Sequence, residues 1–386
     1  MQGAWQDRIS QDVDKHVNRG DLASAAQALE DIIAQAPPGQ VGLDQAWLRL
    51  AGLRRALRQP QRALDAVHQA LALAPLDFMA LALRASLLER LAPDEAGRAW
   101  HEALAQRPSG ELPAPLAMAV AAGERWHAEW SAQREARLDA AIGALCNGEN
   151  SDRDWRITRM RNNVLRRTRP FRSCPTHFHY PGLVEREFHP RARFPWLAAF
   201  ERATPVIRAE MEALLASGRA ELLPYLQYED HEALAQWRDL NRNPDWSAIH
   251  LLRQGNRIDV NAAACPATMA LLETVAQPRI PGASPIALFS LLAPGTTIPP
   301  HVGVNNTRLL CHLPLVVPPG CWFRVGAETR PWREGEGFVF DDTIEHEAAN
   351  PSDRLRVVLI FDLWHPDLDS VEQEAVARII ASDGTV

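Results

Sequence analysis

The first third of the chain repeats itself, and the rest does not. Ala63, the pair Ala70-Leu71 and Pro75 recur 33 residues later as Ala96, Ala103-Leu104 and Pro108. Ala25, Ile32-Ile33 and Pro37 fit the same frame 38 residues ahead of the first set. A small residue at a helix crossing, an apolar pair seven and eight positions on, and a proline that cannot continue the helix describe stacked α-hairpins. A single hairpin cannot bury its apolar face, so the stack shares one core and leaves a concave side. The run Trp47-Leu48-Arg49-Leu50-Ala51 supplies the first helix of the second copy, and residues 78–91 that of the third.

Over roughly residues 10–110 this frame resembles the tetratricopeptide family, whose usual use is to hold a peptide or protein partner. A helical brace for the rest of the chain is the competing use. Residues 110–115 break the pattern, and residues 116–145 read as one or two further helices. An arginine run follows, Arg153, Arg156, Arg159, Arg161, Arg166, Arg167, Arg169 and Arg172. It reads as a solvated connector paired with nearby carboxylates, with an acidic partner as the rival reading.

From Cys174 onward the texture changes. After one amphipathic helix at about 195–217, apolar or alternating runs recur at 247–252, 286–292, 308–317, 322–325, 337–340 and 355–363. Gly and Pro clusters separate them, as in a double-sheet jelly roll. The expected organisation is helical repeats over 1–110, a helical connector over 111–173 and a strand-rich domain over 174–386. With 386 residues there is length for two cores. A net charge of −7 argues against nucleic acid as a partner. The five cysteines are an odd number without metal or redox spacing. No apolar run reaches ~18 residues, so no membrane span is expected. Residues 1–20 are polar and charged, unlike a signal peptide, so the expected compartment is the reducing cytoplasm.

Two histidines stand at the edges of strand-like runs, His301 in Pro299-Pro300-His301-Val302-Gly303 and His346 in Thr343-Ile344-Glu345-His346-Glu347. Neutral imidazole suits Fe(II), and a non-haem iron oxygenase needs few protein ligands, because a bidentate oxoacid and O2 take the remaining positions. Other cupin-like metal sites fit the same spacing. Position 303, where the usual iron triad has Asp or Glu, is glycine. Polar residues also interrupt apolar strands: Ser290 within Leu288-Phe289-Ser290-Leu291-Leu292, Arg308 and His312 around Leu309-Leu310-Cys311, and Arg356 within residues 355–361. A buried guanidinium is costly unless paired, and its planar fork matches a carboxylate. Four such intrusions on neighbouring strands describe a pocket for a dianion.

Residues 175–370 resemble the aspartyl/asparaginyl β-hydroxylase family of Fe(II)- and 2-oxoglutarate-dependent oxygenases. The likeness runs through Tyr180-Pro181-Gly182-Leu183, Phe194-Pro195-Trp196, Leu292-Ala293-Pro294-Gly295 and His312-Leu313-Pro314-Leu315. It is most specific at Trp332-Arg333-Glu334-Gly335, at residues 340–347 and at Phe361-Asp362-Leu363-Trp364-His365-Pro366. The resemblance implies a double-stranded β-helix, the jelly-roll or cupin-like fold, with flanking helices. It makes His301 and His346 the metal ligands, and Arg356 with Ser290 the grip on the distal carboxylate of 2-oxoglutarate. It sets His312 near the proximal carboxylate and Arg308 near substrate or this same end of the cosubstrate. Asp341 and Asp342 either orient the loop carrying His346 or serve a turn.

Members of the family that act on growth-factor-like domains lack the carboxylate ligand, as Gly303 does here. Many relatives carry a second arginine where this chain has Leu310, which puts cosubstrate affinity in question. The implied reaction couples decarboxylation of 2-oxoglutarate to succinate and CO2 with hydroxylation by O2 of an Asp- or Asn-type side chain in a protein or peptide, with the repeats presenting it. The alternatives are a small-molecule or lipid-acyl substrate, a halogenase, and a non-catalytic repeat scaffold with a degenerate oxygenase domain.

Overall fold

The computed structural model describes residues 5, 8–37, 39–146, 148, 151–229, 231 and 237–383. It divides into two compact units, Met1–Asn150 and Ser151–Val386. The stretch expected as a connector, 111–173, is shared between them.

In the first unit a π-turn at Ile9–Val13 runs into α1 (Asp14–Asn18), and α2 (Leu22–Ala34) completes a hairpin. Helices α3 (Leu43–Ala56) and α4 (Pro60–Leu73) make the next, and α5 (Phe78–Leu91) and α6 (Pro93–Ala105) the third. Pro60 and Pro93 open their helices at the first turn, where a missing N–H costs nothing. The carboxylates of Asp21 and Asp77 cap α2 and α5 by accepting from Ser24 N (3.1 Å) and Ala80 N (2.7 Å). The small residues of the repeat frame, Ala25, Ala63, Ala70, Ala96 and Ala103, are all buried.

Residues 114–142 form one long helix, α7 (Ala114–Ile142), rather than two. It crosses α6 through two reciprocal tryptophan–glycine contacts. A Cβ on Gly97 would lie 2.0 Å from the Trp130 ring, and one on Gly123 would lie 2.4 Å from Trp100. Trp100 is buried there and donates its indole N–H to Glu89 Oε1 (2.7 Å).

The second unit opens with α8 (Ser151–Val164). Its arginines are partly engaged: Arg159 lies 3.3 Å from Glu187 and 3.2 Å from Glu328, and Trp155 donates to Glu328 (3.3 Å). The helix expected over 195–217 is two, α9 (Leu197–Arg202) and α10 (Thr204–Ala216), with the break just before Pro205. One sheet contains β1 (Leu222–Pro224), β2 (Trp246–Arg253), β4 (Ala287–Leu292), β11 (Arg356–Trp364), β6 (Arg308–Val316) and β9 (Phe338–Phe340) in that order, with β3 (Asn256–Arg257) paired to β2. The other runs β5 (Thr296–His301), β10 (His346–Asn350), β7 (Trp322–Val325) and β8 (Glu328–Pro331). All the pairings are antiparallel.

Alternation along the large sheet feeds two cores. Ile249, Phe289, Leu309, Cys311, Leu359 and Phe361 face outward under α9, α10 and α12 (Pro266–Leu272), which follows α11 (Asp259–Ala262). Leu288, Leu310, Val358 and Ile360 face inward and meet Ile298, Phe323, Val325 and Ala348 of the small sheet. An apolar filling between two antiparallel sheets is the double-stranded β-helix, or jelly roll. The chain closes with α13 (Ser370–Asp383). Among the described residues no helix is long and apolar enough to cross a membrane.

Two predictions follow from this packing. Gly97→Val forces a branched side chain into the Trp130 ring and should destabilise the first unit by about 1–3 kcal/mol, read as a lower midpoint of its helical unfolding transition. In the second unit His189 is buried edge-on to His365 (5.3 Å), and burial, reinforced by His365, Arg186 and Arg193, pulls its pKa down to about 3. Because the folded value lies below the ordinary 6.5, the stabilisation is complete above pH 6.5 and is lost as pH falls toward 3. Urea midpoints measured across that window should fall less steeply for His189→Phe than for the wild type.

Candidate metal and anion site

The two sequence-flagged histidines meet across a strand pair. His301 ends β5, His346 begins β10, and they are register partners with ring centroids 3.9 Å apart. A bulge between His346 and Ala348 bends β10 at this point, a common device for aiming a side chain beside a site. His301 Nδ1 lies 2.8 Å from the carbonyl of Pro299, and His346 Nδ1 lies 3.1 Å from that of Ile344. A carbonyl only accepts, so each Nδ1 carries the proton and each Nε2 presents a lone pair. Burial pushes His301 down to about 4. It pushes His346 well below the ordinary range, and the neighbouring His301 adds to this. Both rings are therefore neutral near pH 7, the form that binds a metal. Trp237 (5.0 Å) stands edge-on to His301, and Phe340 (5.4 Å) and Phe323 (5.9 Å) to His346. Among the described residues no group of three or more His, Cys, Asp or Glu side chains converges on one point, so a metal here would rest on the histidine pair.

The inner wall of the large sheet carries the anion-binding residue types. Arg356 is 2% exposed, and among the described residues no carboxylate lies within ion-pair distance of it. Burial lowers its pKa to about 10, which leaves it charged at neutral pH. Ser290 is buried on β4, whose residue pairing runs Arg356↔Leu292 and Val358↔Ser290, and its hydroxyl accepts from Trp246 Nε1 (3.2 Å). His312, on β6, lies nearly parallel to Trp332 (5.6 Å, 15°), and the Arg356 guanidinium sits 5.3 Å from that indole's centre. His312 Nδ1, Trp332 Nε1 and Arg356 Nε are all buried without a hydrogen-bond partner. Three orphaned polar atoms around one uncompensated charge fit a small carboxylate-bearing ligand.

Arg308 stands apart from Arg356. Its guanidinium is 3.7 Å from Asp342 and 3.7 Å from Asp362, both buried, so its charge is already matched. Leu310, between Arg308 and His312, faces the inner apolar core opposite Phe340. Asp341 serves a turn, its Oδ1 accepting from Thr343 N (2.9 Å) and Thr343 Oγ1 (2.5 Å). Asp342 fills the space beside Gly303: a Cβ on that glycine would lie 2.2 Å from Asp342 Oδ2. Burial raises Asp342 to about 6, with Arg308 opposing and Asp362 adding to the rise. Three aromatics near the site had no role in the sequence reading. Trp246 lies flat on Tyr225 (4.0 Å, 8°) and reaches Ser290, while Trp332 lies between His312 and Arg356. Trp332 stands in a motif that the resemblance quotes, and this was the one available signal.

Residues 201–366 match the family model described as aspartyl/asparaginyl β-hydroxylase. The ornithine lipid ester-linked acyl 2-hydroxylase of Rhizobium tropici is 35% identical over 190 residues, covering 48% of this chain and 63% of that protein. Human aspartyl/asparaginyl β-hydroxylase is 34% identical over 183 residues, 47% of this chain and 22% of the relative. Human aspartate β-hydroxylase domain-containing protein 2 is 32% identical over 220 residues, 55% of this chain and 57% of the relative. The chain thus spans less than two-thirds of each of these relatives. Solved structures align loosely. A tetratricopeptide repeat protein from Parabacteroides merdae has 17% identity and a TM-score of 0.29, over 42% of this chain and 68% of its own. The cupin domain of a transcriptional regulator from Enterobacter cloacae has 12% identity and a TM-score of 0.22, over 31% and 97%. The fold assignment therefore rests on the strand pairing itself. The jelly roll, the family model and the hydroxylase relatives agree, and over residues 201–366 the strand-rich part of this chain matches the aspartyl/asparaginyl β-hydroxylase family.

Proposed function

We propose that the chain is an Fe(II)- and 2-oxoglutarate-dependent dioxygenase that hydroxylates an Asp- or Asn-type side chain of a protein or peptide. The observation that carries the reading is the joint presence of two neutral imidazoles with open Nε2 atoms and a buried arginine without a counter-charge. The relatives named as hydroxylases support the reaction class.

In this reading His301 and His346 hold the metal, and the carbonyls of Pro299 and Ile344 fix their tautomers. Arg356 and Ser290 bind the distal carboxylate of the cosubstrate, and His312 stands toward the proximal one. Arg308, already paired with Asp342 and Asp362, shapes the wall rather than contributing a free charge. Phe323, Phe340 and Trp246 make the surroundings of these side chains apolar, which strengthens each polar contact made among them. When bound, iron and 2-oxoglutarate supply the oxidising power to place one atom of O2 in a C–H bond and the other in succinate, with release of CO2. The helical repeats hold the protein or peptide substrate, and the compartment is the cytoplasm. A lipid acyl chain is the second substrate class, favoured by the acyl hydroxylase among the relatives.

His301→Ala and His346→Ala should each abolish succinate formation, and wild-type activity in either would remove the metal assignment. Arg356→Ala should leave the histidine pair intact and weaken 2-oxoglutarate binding by about 2–5 kcal/mol, roughly 30-fold or more, in anaerobic titration. Unchanged affinity would rule out Arg356 as the anchor. Mass spectrometry for one added oxygen atom, in a peptide library and in acyl lipids side by side, decides the substrate class.

A further inference from the structure

A segment ahead of the family-matched residues runs across both histidine-bearing loops. Ser173 forms an antiparallel bridge with Ile344, and Phe178 a parallel bridge with Asn305. Cys174 N donates to the carbonyl of Thr343 (2.9 Å), in the turn that leads into His346. Thr176 N donates to the carbonyl of Gly303 (3.0 Å), and the N–H groups of His177 and Phe178 both donate to Val304 (3.0 and 3.1 Å), in the loop that leaves His301. The two loops also touch directly, Gly303 N donating to the carbonyl of Asp342 (2.7 Å).

Both ends of this strap are locked by side chains. At one end Thr343 Oγ1 donates to Asp341 Oδ1 (2.5 Å), so the proton between Thr343 Oγ1 and Ser173 Oγ, 2.6 Å apart, comes from Ser173. All three side chains are buried. At the other end the Asn306 amide holds both backbone polar groups of one residue, Oδ1 accepting from Tyr180 N (2.7 Å) and Nδ2 donating to Tyr180 O (2.9 Å).

We infer that residues 173–180 are a positioning strap for the histidine pair, with Ser173 and Asn306 as its two buried locks. The inference rests on the metal-site reading above. Strand pairing fixes His301 against His346 at a single register position, at the sheet's end and beside a bulge. Beyond that point each backbone enters a loop, and the strap is what ties the loops to a common element. Among the described residues no third His, Cys, Asp or Glu joins the pair to hold its geometry, so the separation and aim of the two Nε2 atoms depend on these outer bonds. The strap lies outside residues 201–366, so the family-matched stretch alone does not contain the whole support of the site.

The test uses Mn(II) as an oxygen-inert probe with 2-oxoglutarate present throughout, with affinity of the full chain read by electron paramagnetic resonance and stability by thermal unfolding. Wild type should bind one Mn(II), and His301→Ala should not. Ser173→Ala and Asn306→Ala should each weaken Mn(II) about tenfold, as loss of outer partners does, while Thr343→Ser, which keeps the hydroxyl, retains the affinity. Thr268→Ala removes a buried bond to Glu210 (2.6 Å) on the outer face of the large sheet, and it should lower stability without changing affinity. Wild-type affinity in both Ser173→Ala and Asn306→Ala overturns the strap, and so does an equal loss in Thr268→Ala. Absence of Mn(II) binding by the wild type removes the metal site, and the strap's role with it.

Discussion

Among the described residues, the inside of the strand-rich unit is arranged around a buried arginine with no carboxylate beside it. Arg356 points from β11, the strand between β4 and β6 at the middle of the large sheet, into the space between the sheets. Arg356 is among the largest fully buried side chains, so its guanidinium is out of contact with solvent. Desolvating a charge costs several kcal/mol even after relaxation, and an uncompensated one is among the most expensive groups in a core. The same face shows the ordinary remedy, since Arg308 has Asp342 and Asp362 beside it. Arg356 has instead an indole face, a serine hydroxyl nearby and two further unpartnered ring nitrogens. A core tolerates that arrangement when a ligand of opposite charge completes it, and the proposed cosubstrate is a dianion.

What the sequence made legible followed physical periodicity. Six apolar runs became six strands of the second unit within two residues at each end, because their side chains alternate between two real cores. The repeat frame likewise named residues that are buried at helix crossings. Outside those six runs the sequence set the two histidines only at the edges of strand-like runs, and the strands that carry them have compositions that contradict a strand. β5 contains Pro299-Pro300, which is tolerable only because β5 is the edge of its sheet. β10 reads His-Glu-Ala-Ala-Asn, without a β-branched residue, and exists because β5 and β7 pair with it on both sides. These two strands carry the histidines, so their meeting point was invisible at the level of local propensity even though the residues themselves stood out. The sequence left residues 116–145 open as one helix or two, and the single α7 packs through Trp100 and Trp130 reaching glycines on the partner helix.

The aromatic lining was hidden for a different reason. An indole in a strand-rich domain is usually core, and nothing in the residues near 332 tells that Trp332 lies against a guanidinium with its N–H unmet. Trp246 has the same character: its role comes from Ser290 on the neighbouring strand and from Tyr225 on its face, partners that lie 44 residues away and at the end of a short edge strand. Such contacts arise from sheet order, which a strand list does not supply.

Gly303 shows most directly how structure alters the meaning of a residue. In sequence it marks a carboxylate that is missing from a metal triad. In the fold the space that a side chain there would need is held by the carboxylate of Asp342, itself beside Arg308. Any side chain at 303 would have to expel a buried acid from its cationic partner, so glycine is required by packing whatever the metal needs. The same crowding ties the turn before His346 to the loop after His301. In the proposed function this has an electrostatic consequence: two neutral imidazoles bring no charge to a divalent metal, and the dianionic cosubstrate held by Arg356 supplies the balance. Metal and cosubstrate retention are then coupled through charge, with the Gly303–Asp342 contact on one side of the site and the buried arginine on the other.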